Sequence, residues 1–254
     1  MRKADGNAGY ALWATLIALL GAAAPASAQE QNHVILGAGV YVAPAFQGSK
    51  KSRVNLVPAI DVKHGWLFAN LRNGAGIAPI NTEQFTVGVS AVLMQGYRRK
   101  DVPSGVRRLS DGVGARAFAK LRVADLATTI GVVNGVSGQT RGFIADATIA
   151  YPIPVGARLT LTPSVGTTWV NRKYNSRYFG IDAGEATASG LRQFRPGSGF
   201  KDVSGFLTAS HQLTERLMVS ATGSAVMLVG DAQRSPLIDH KTRPTGLFAV
   251  SYRF

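Results

Sequence analysis

Apolar and polar positions alternate in steps of two along most of this chain, the spacing of strands with one apolar face and one polar face. Over 53–63, Val54, Leu56, Pro58, Ile60 and Val62 fall on one face, and Arg53, Asn55, Asp61 and Lys63 on the other. Residues 158–169 set Leu159, Leu161, Pro163, Val165 and Trp169 against Arg158, Thr160, Thr162, Ser164 and Thr168. In 115–123, Ala115, Ala117, Ala119, Leu121 and Val123 oppose Arg116, Phe118, Lys120 and Arg122, and 216–229 repeats the pattern from Leu217 to Val229.

A soluble sandwich alternates too, with its polar face in water. Strand length separates the two cases. Many of these segments reach about ten residues, enough to cross a bilayer at a tilt, whereas ordinary strands average about five or six. Loop length agrees. Short turns at His64-Gly65, Asn81 to Gln84, Val123 to Leu126, Pro152 to Gly156 and Leu213 to Glu215 alternate with longer loops at 44–52, 96–111, 171–199 and 230–243. Such asymmetry belongs to barrels with tight periplasmic turns and long outer loops.

The predicted strands are 34–43, 53–63, 66–72, 75–80, 85–95, 112–122, 127–136, 140–151, 157–170, 200–212, 216–229 and 244–254. The expected fold is therefore all-β: a transmembrane, antiparallel, up-and-down β-barrel of about 12 strands, or ten if 75–80, the weakest, does not form. An even count returns both chain ends to the periplasm.

The first residues add export. Arg2 and Lys3 precede an apolar run from Ala11 to Ala24 that ends in Pro25-Ala26-Ser27-Ala28, the pattern of a signal peptide cut after Ala28. The run is too short to span a bilayer as a helix. The domain reading is a signal peptide, 1–28, followed by an outer-membrane barrel, 29–254. The whole chain carries a net charge of +14 and has no cysteine. Removing the leader leaves about +13, a balance that suits anionic partners such as lipid phosphates, while export argues against nucleic acid. Without cysteine, neither disulfides nor thiolate metal sites are available.

The last strand puts Phe248, Val250, Tyr252 and Phe254 on one face and stops at an aromatic residue. A terminal strand ending in Phe254 resembles the signal read by the machinery that assembles outer-membrane barrels. Other segments point to one family. The run from Gly37 to Ser49 resembles a glycine-rich first strand followed by a Pro-x-Tyr-x-Gly-Ser turn, with Phe46 in place of Tyr. Tyr178-Phe179-Gly180-Ile181 with Ala188-Ser189-Gly190-Leu191, Gly230-Asp231-Ala232-Gln233-Arg234-Ser235-Pro236-Leu237, and Tyr252-Arg253-Phe254 complete the set. Together they resemble the MipA/OmpV family of outer-membrane proteins across nearly the whole exported part. One departure is Tyr97-Arg98-Arg99-Lys100, more basic than the Gly-Arg usual in the family.

Candidate chemistry is sparse. His33 borders the first strand, His64 lies in a turn, His211 is near a periplasmic strand end, and His240 follows Asp239 in a solvated loop, so no catalytic pairing emerges. No His or carboxylate spacing suits a metal, and no cofactor is expected. Asp231 and Ser235 are read as tying down their own loop beside Pro236. Basic residues form the clearest pattern. Arg98, Arg99, Arg107 and Arg108 head an outer rim suited to lipopolysaccharide phosphates, and Arg116, Lys120, Arg122 and Arg158 are expected to line the lumen, with Asp61 and Asp146 nearby. That lumen is either a narrow channel or a space packed by side chains and by loop 171–199.

Resemblance to the family implies a non-enzymatic barrel. It implies either a scaffold joining a lytic transglycosylase to a penicillin-binding peptidoglycan synthase in cell-wall assembly, or a small pore, which a basic lumen would make anion-preferring. Long outer loops also leave a surface role such as adhesion open.

Overall fold

The computed structural model describes residues 32–254, so the predicted signal peptide lies outside the described residues. The strands are β1 (His33–Pro44), β2 (Ser52–His64), β3 (Leu67–Asn70), β4 (Gly74–Asn81), β5 (Phe85–Met94), β6 (Gly112–Val123), β7 (Leu126–Gly135), β8 (Phe143–Ala150), β9 (Ile153–Val155), β10 (Leu159–Val170), β11 (Gly199–Gln212), β12 (Leu217–Leu228) and β13 (Thr242–Arg253). Neighbours in sequence pair antiparallel, except that β8 and β9 both lie on β10, and β1 pairs with β13 to close the ring. No helix among the described residues is long and apolar enough to cross a membrane. Closure pairs the first strand of the sheet with the last, which is what lets a sheet sit in lipid.

Thirteen segments make twelve staves. β8 and β9 lie on β10 in one continuous register, Ala150 opposite Ser164 and Ile153 opposite Leu161. Between them the Tyr151 N–H donates to the Pro163 carbonyl at 3.0 Å. The turn expected at Pro152 to Gly156 therefore falls later, at 156–158. Pro152 has no N–H to give the ladder, so it interrupts the pairing without ending the strand.

Alternation sorts the two faces as the sequence implies. On β2, Val54 and Leu56 are 70% and 81% exposed on the outer face, while Val57, Ala59 and Lys63 point inward and are buried. Aromatic residues mark the two rims: Trp66, Phe85, Tyr151, Tyr252 and Phe254 at the turn end, and Phe143 against Trp169 with Phe200 at the loop end. Such girdles sit at membrane interfaces, where an apolar ring with a polar edge is at home.

The hairpin β3–β4 is the exception to a regular wall. β1 and β2 pair over their full length, from His33 opposite Lys63 to Pro44 opposite Ser52, but β3 reaches only from His64 to Asp61 of β2. The hairpin then turns at Leu71–Asn73. The Asn70 side chain accepts from the Asn73 N–H at 2.8 Å, and Gly74 takes φ +77°, a conformation that a side chain would strain. Alternation predicts ordinary strands at 66–72 and 75–80 for this pair; the Asn-x-x-Asn-Gly turn cuts the first of them to four residues.

Candidate site in a lidded lumen

Four outer loops fold over the barrel mouth as one packed lid. Helix α1 (Arg172–Phe179) starts at Asn171, whose side chain accepts from the Tyr174 N–H at 3.0 Å. Helix α2 (Ala183–Ser189) starts at a reciprocal capping box, Asp182 accepting from the Glu185 N–H at 2.8 Å and Glu185 from the Asp182 N–H at 3.1 Å. These caps order a loop that composition alone leaves open. Phe46, Tyr97, Val106, Tyr174, Tyr178, Phe179, Ile181 and Leu237 form its buried core. Ring contacts run Phe46–Tyr97 at 5.5 Å, Tyr97–Tyr178 at 5.5 Å and Tyr178–Phe179 at 4.8 Å. Full burial of one such side chain contributes about 1.5–3 kcal/mol. Desolvation pushes the phenols of Tyr97, Tyr174 and Tyr178 up, which keeps them neutral.

Polar clasps hold the loops to one another. Arg107 donates from its backbone N–H to Glu185 Oε1 at 3.0 Å and from Nη2 to Asp182 Oδ2 at 2.6 Å, joining loop 95–111 to α2. The Glu185 hydrogen bond raises the Arg107 pKa further. Asp231 accepts from the Gly197 N–H at 2.8 Å, and Ser235 Oγ donates to the Phe179 carbonyl at 2.6 Å. These two residues therefore fasten their loop mainly to the α1–α2 segment, beyond the local role read from sequence. Asp239 accepts from the Lys50 N–H at 3.1 Å rather than orienting His240.

Beneath the lid lies a cavity of about 360 Å³, within the range of small-ligand pockets. Its charged lining consists of Arg72, Arg116, Asp146, Lys201 and Asp202. Arg116, 3% exposed, donates from Nη2 to both oxygens of Asp146 at 2.9 and 3.0 Å. Lys201 pairs with Asp202 and donates to Gln47 Oε1 at 3.1 Å. The Nε atoms of Arg72 and Arg116 are buried, with no hydrogen-bond partner among the described residues. Among the described residues the lining sets three cations against two carboxylates, a surplus of one positive charge. Below the charges, Phe68 meets Phe118 edge-on at 5.6 Å.

Of the expected lumen residues, Arg116 lines this cavity. Lys120 and Arg122 follow on the same face of β6 toward the turn end, half-buried. Arg158 is exposed in the 156–158 turn and lies outside the cavity lining, because the strand before it runs on past Pro152. On the rim, Arg98, Arg99 and Arg108 are exposed; Arg99 also donates to the Val106 carbonyl, and Arg107 is engaged by α2. Phe254 is 74% exposed beside Tyr252. His33 sits 3.3 Å from Asp61, and His64, His211 and His240 are exposed and scattered. Among the described residues no group of three His, Cys, Asp or Glu could hold a metal.

Sequence reasoning missed Arg72, Lys201 and Asp202 as cavity residues. Arg72 stood in a nominal strand end. Adjacent residues of a regular strand face opposite ways, so Lys201 and Asp202 share the lumen only through the register shift at Thr168/Trp169. No local signal announces that bulge.

Residues 36–254 match the family model for MltA-interacting protein MipA. This chain belongs to the MipA family. Relatives of this MipA-family barrel include putative outer membrane protein YiaT of Escherichia coli K12, 26% identical over 119 residues, covering 47% of this chain and 48% of YiaT. The 24 kDa outer membrane protein of Pasteurella multocida is 25% identical over 174 residues, covering 63% and 67%. The chain thus matches about half the length of YiaT. Among solved structures, OprB of Pseudomonas putida aligns with 80% of this chain and 49% of its own at 10% identity and a TM-score of 0.39. The protein is an outer-membrane β-barrel.

Proposed function

We propose that this MipA-family barrel is a non-enzymatic scaffold of cell-wall assembly. In this reading its periplasmic face holds a lytic transglycosylase of the MltA kind, and through it a penicillin-binding peptidoglycan synthase. The observation that carries the reading is the family match over 36–254, whose name states an MltA interaction, on a barrel whose mouth is filled by a packed lid. What such a barrel offers the periplasm is its ring of turns, with Trp66 63% and Leu213 43% exposed. Photo-crosslinkers placed at Trp66, Glu83, Asp125 and Leu213 in living cells test it. Capture of a transglycosylase is expected; repeated recovery of outer-membrane neighbours alone would end the scaffold reading.

On the outer rim, Arg98, Arg99 and Arg108 are proposed to take lipopolysaccharide phosphates, and Phe254 to serve as the assembly signal. A second reading, an anion-preferring pore, is favoured by the surplus cation of the cavity. Planar-bilayer recording separates it from the scaffold: steady conductance lost on neutralising Arg116, Lys120 and Arg122 favours the pore, and a silent folded barrel removes it.

A further inference from the structure

The short hairpin leaves an opening in the wall. Among the described residues, β2 has no strand on its far side above the Asp61–Asn70 pair until loop 95–111 returns, where Arg53 pairs with Asp101 and Lys51 donates to the Lys100 carbonyl at 3.4 Å. On the opposite flank, β4 pairs with β5 only up to Ala75 opposite Ala91, so Val92 to Met94 stand free of it. At about 3.3 Å per residue the gap runs some 25 Å along β2. The Ala45 N–H donates to the Lys51 carbonyl, which makes odd β2 residues the ones bonded to β1 and turns the backbone groups of Val54, Leu56, Pro58 and Ile60 toward the gap. Pro58 brings no donor there, as suits an edge.

The cavity meets this gap on its β4–β5 flank. Its lining joins inward residues, Arg116 and Asp146, to Ala75, Ala91 and Leu93, whose side chains lie on the outward face of β4 and β5. An apolar sill and a cationic interior thus share one space. Lipid chains alone cannot fill it, because unpaired strand groups facing hydrocarbon cost several kcal/mol each. Water alone leaves the unmatched charge of the lining without a counter-ion.

We infer that this is a binding site, open through the wall to the outer leaflet, for an amphiphile with a single negative charge on its head group. The carboxylate or phosphate head meets Arg72 and Arg116, and the chain leaves past Ala91 and Leu93 into lipid. Arg72 is the primary contact, since Arg116 already holds Asp146. This goes beyond the scaffold reading and does not depend on it, for it concerns the upper wall rather than the periplasmic turns.

The experiment uses the full barrel in phosphatidylcholine vesicles and a fluorescent polyene fatty acid as probe, with its methyl ester and free acetate and inorganic phosphate as comparisons. Folding of every variant is scored by heat-modifiable gel mobility. Saturable binding of the acid, and no binding of the ester above protein-free vesicles, is expected. Arg72→Gln should weaken the acid about tenfold, as losing a charge-assisted bond does, Arg72→Lys should restore part of it, and Ala91→Trp should block the sill. Equal binding of acid and ester would overturn the proposal, and that comparison needs no variant. So would unchanged affinity in folded Arg72→Gln or Ala91→Trp, or displacement by acetate or phosphate at probe concentrations, which marks a soluble-anion site.

Discussion

Two stretches of the wall follow different rules. From β10 through β13 to β1, each strand is bonded on both sides over its membrane-crossing length; β11 pairs from Gly199 to His211 with β10 and from Asp202 to Gln212 with β12. Between β2 and β5 the hairpin β3–β4 fills only the periplasmic half. Lipid requires every backbone group in it to be paired, so the first stretch is what a barrel must be, and the second stands only where something polar adjoins the strand. The cavity of Arg72, Arg116 and Lys201 adjoins it. A weakness in the wall and a charge in the lumen at the same height read better as one feature than as two.

Proline exposes the difference with the largest effect. Leu207→Pro on β11 removes a donor bonded within the ladder and leaves its acceptor unpaired in the membrane, at several kcal/mol. Folded barrel should be lost, seen as disappearance of the fast-migrating band on unheated gels. Leu56→Pro faces the gap, two residues from native Pro58, and should fold to near wild-type yield. If Leu56→Pro fails as Leu207→Pro does, the opening is bridged in the membrane and the contrast collapses.

The regular stretch was legible in the sequence because burial there follows a period of two. The faces of β2, β6, β10 and β12 and their approximate bounds follow from Val54, Leu121, Leu161 and Val219 each standing on an apolar face. The cavity was only half legible. Arg116 and Asp146 lie on inward positions of regular strands, and alternation finds them. Arg72 lies in a turn whose height in the wall is set by Asn70 and Gly74, and Lys201 enters through a bulge. Neither height nor bulge leaves a periodic trace. The lid was visible as motifs, Tyr178-Phe179-Gly180-Ile181 and Gly230 to Leu237, but their packing together depends on contacts distant in sequence, such as Ser235 on the Phe179 carbonyl.

The lid gives a smaller contrast, between a seal held by burial and one held by charge. Arg107→Ala deletes the clasp on Asp182 and Glu185, yet the Arg107 side chain is mostly exposed, so only about 0.5–1 kcal/mol is at stake. Trypsin acting on intact vesicles should then cut at Arg172, Lys173 or Arg177 a few times faster, since the cleaved population tracks the open lid. No change in cutting rate means the aromatic core alone holds the lid shut.

Alkali probes that aromatic core directly, with the smallest effect. Burial raises the phenols of Tyr97, Tyr174 and Tyr178, so the closed lid favours their protonated form. By linkage, the stabilisation is fully present below the pH at which a free phenol ionises, about 10, and is lost as pH climbs above it. The tyrosinate absorbance of the folded barrel should therefore include a late fraction that ionises only as the lid opens, in step with the onset of trypsin sensitivity in samples pulsed to each pH and returned. Phe179→Ala, which empties a fully buried position against Tyr178, should bring that fraction to lower pH without disturbing the wall. A late fraction that stays put in Phe179→Ala would place those tyrosines outside the lid core, and the mouth would then owe its closure to the clasps.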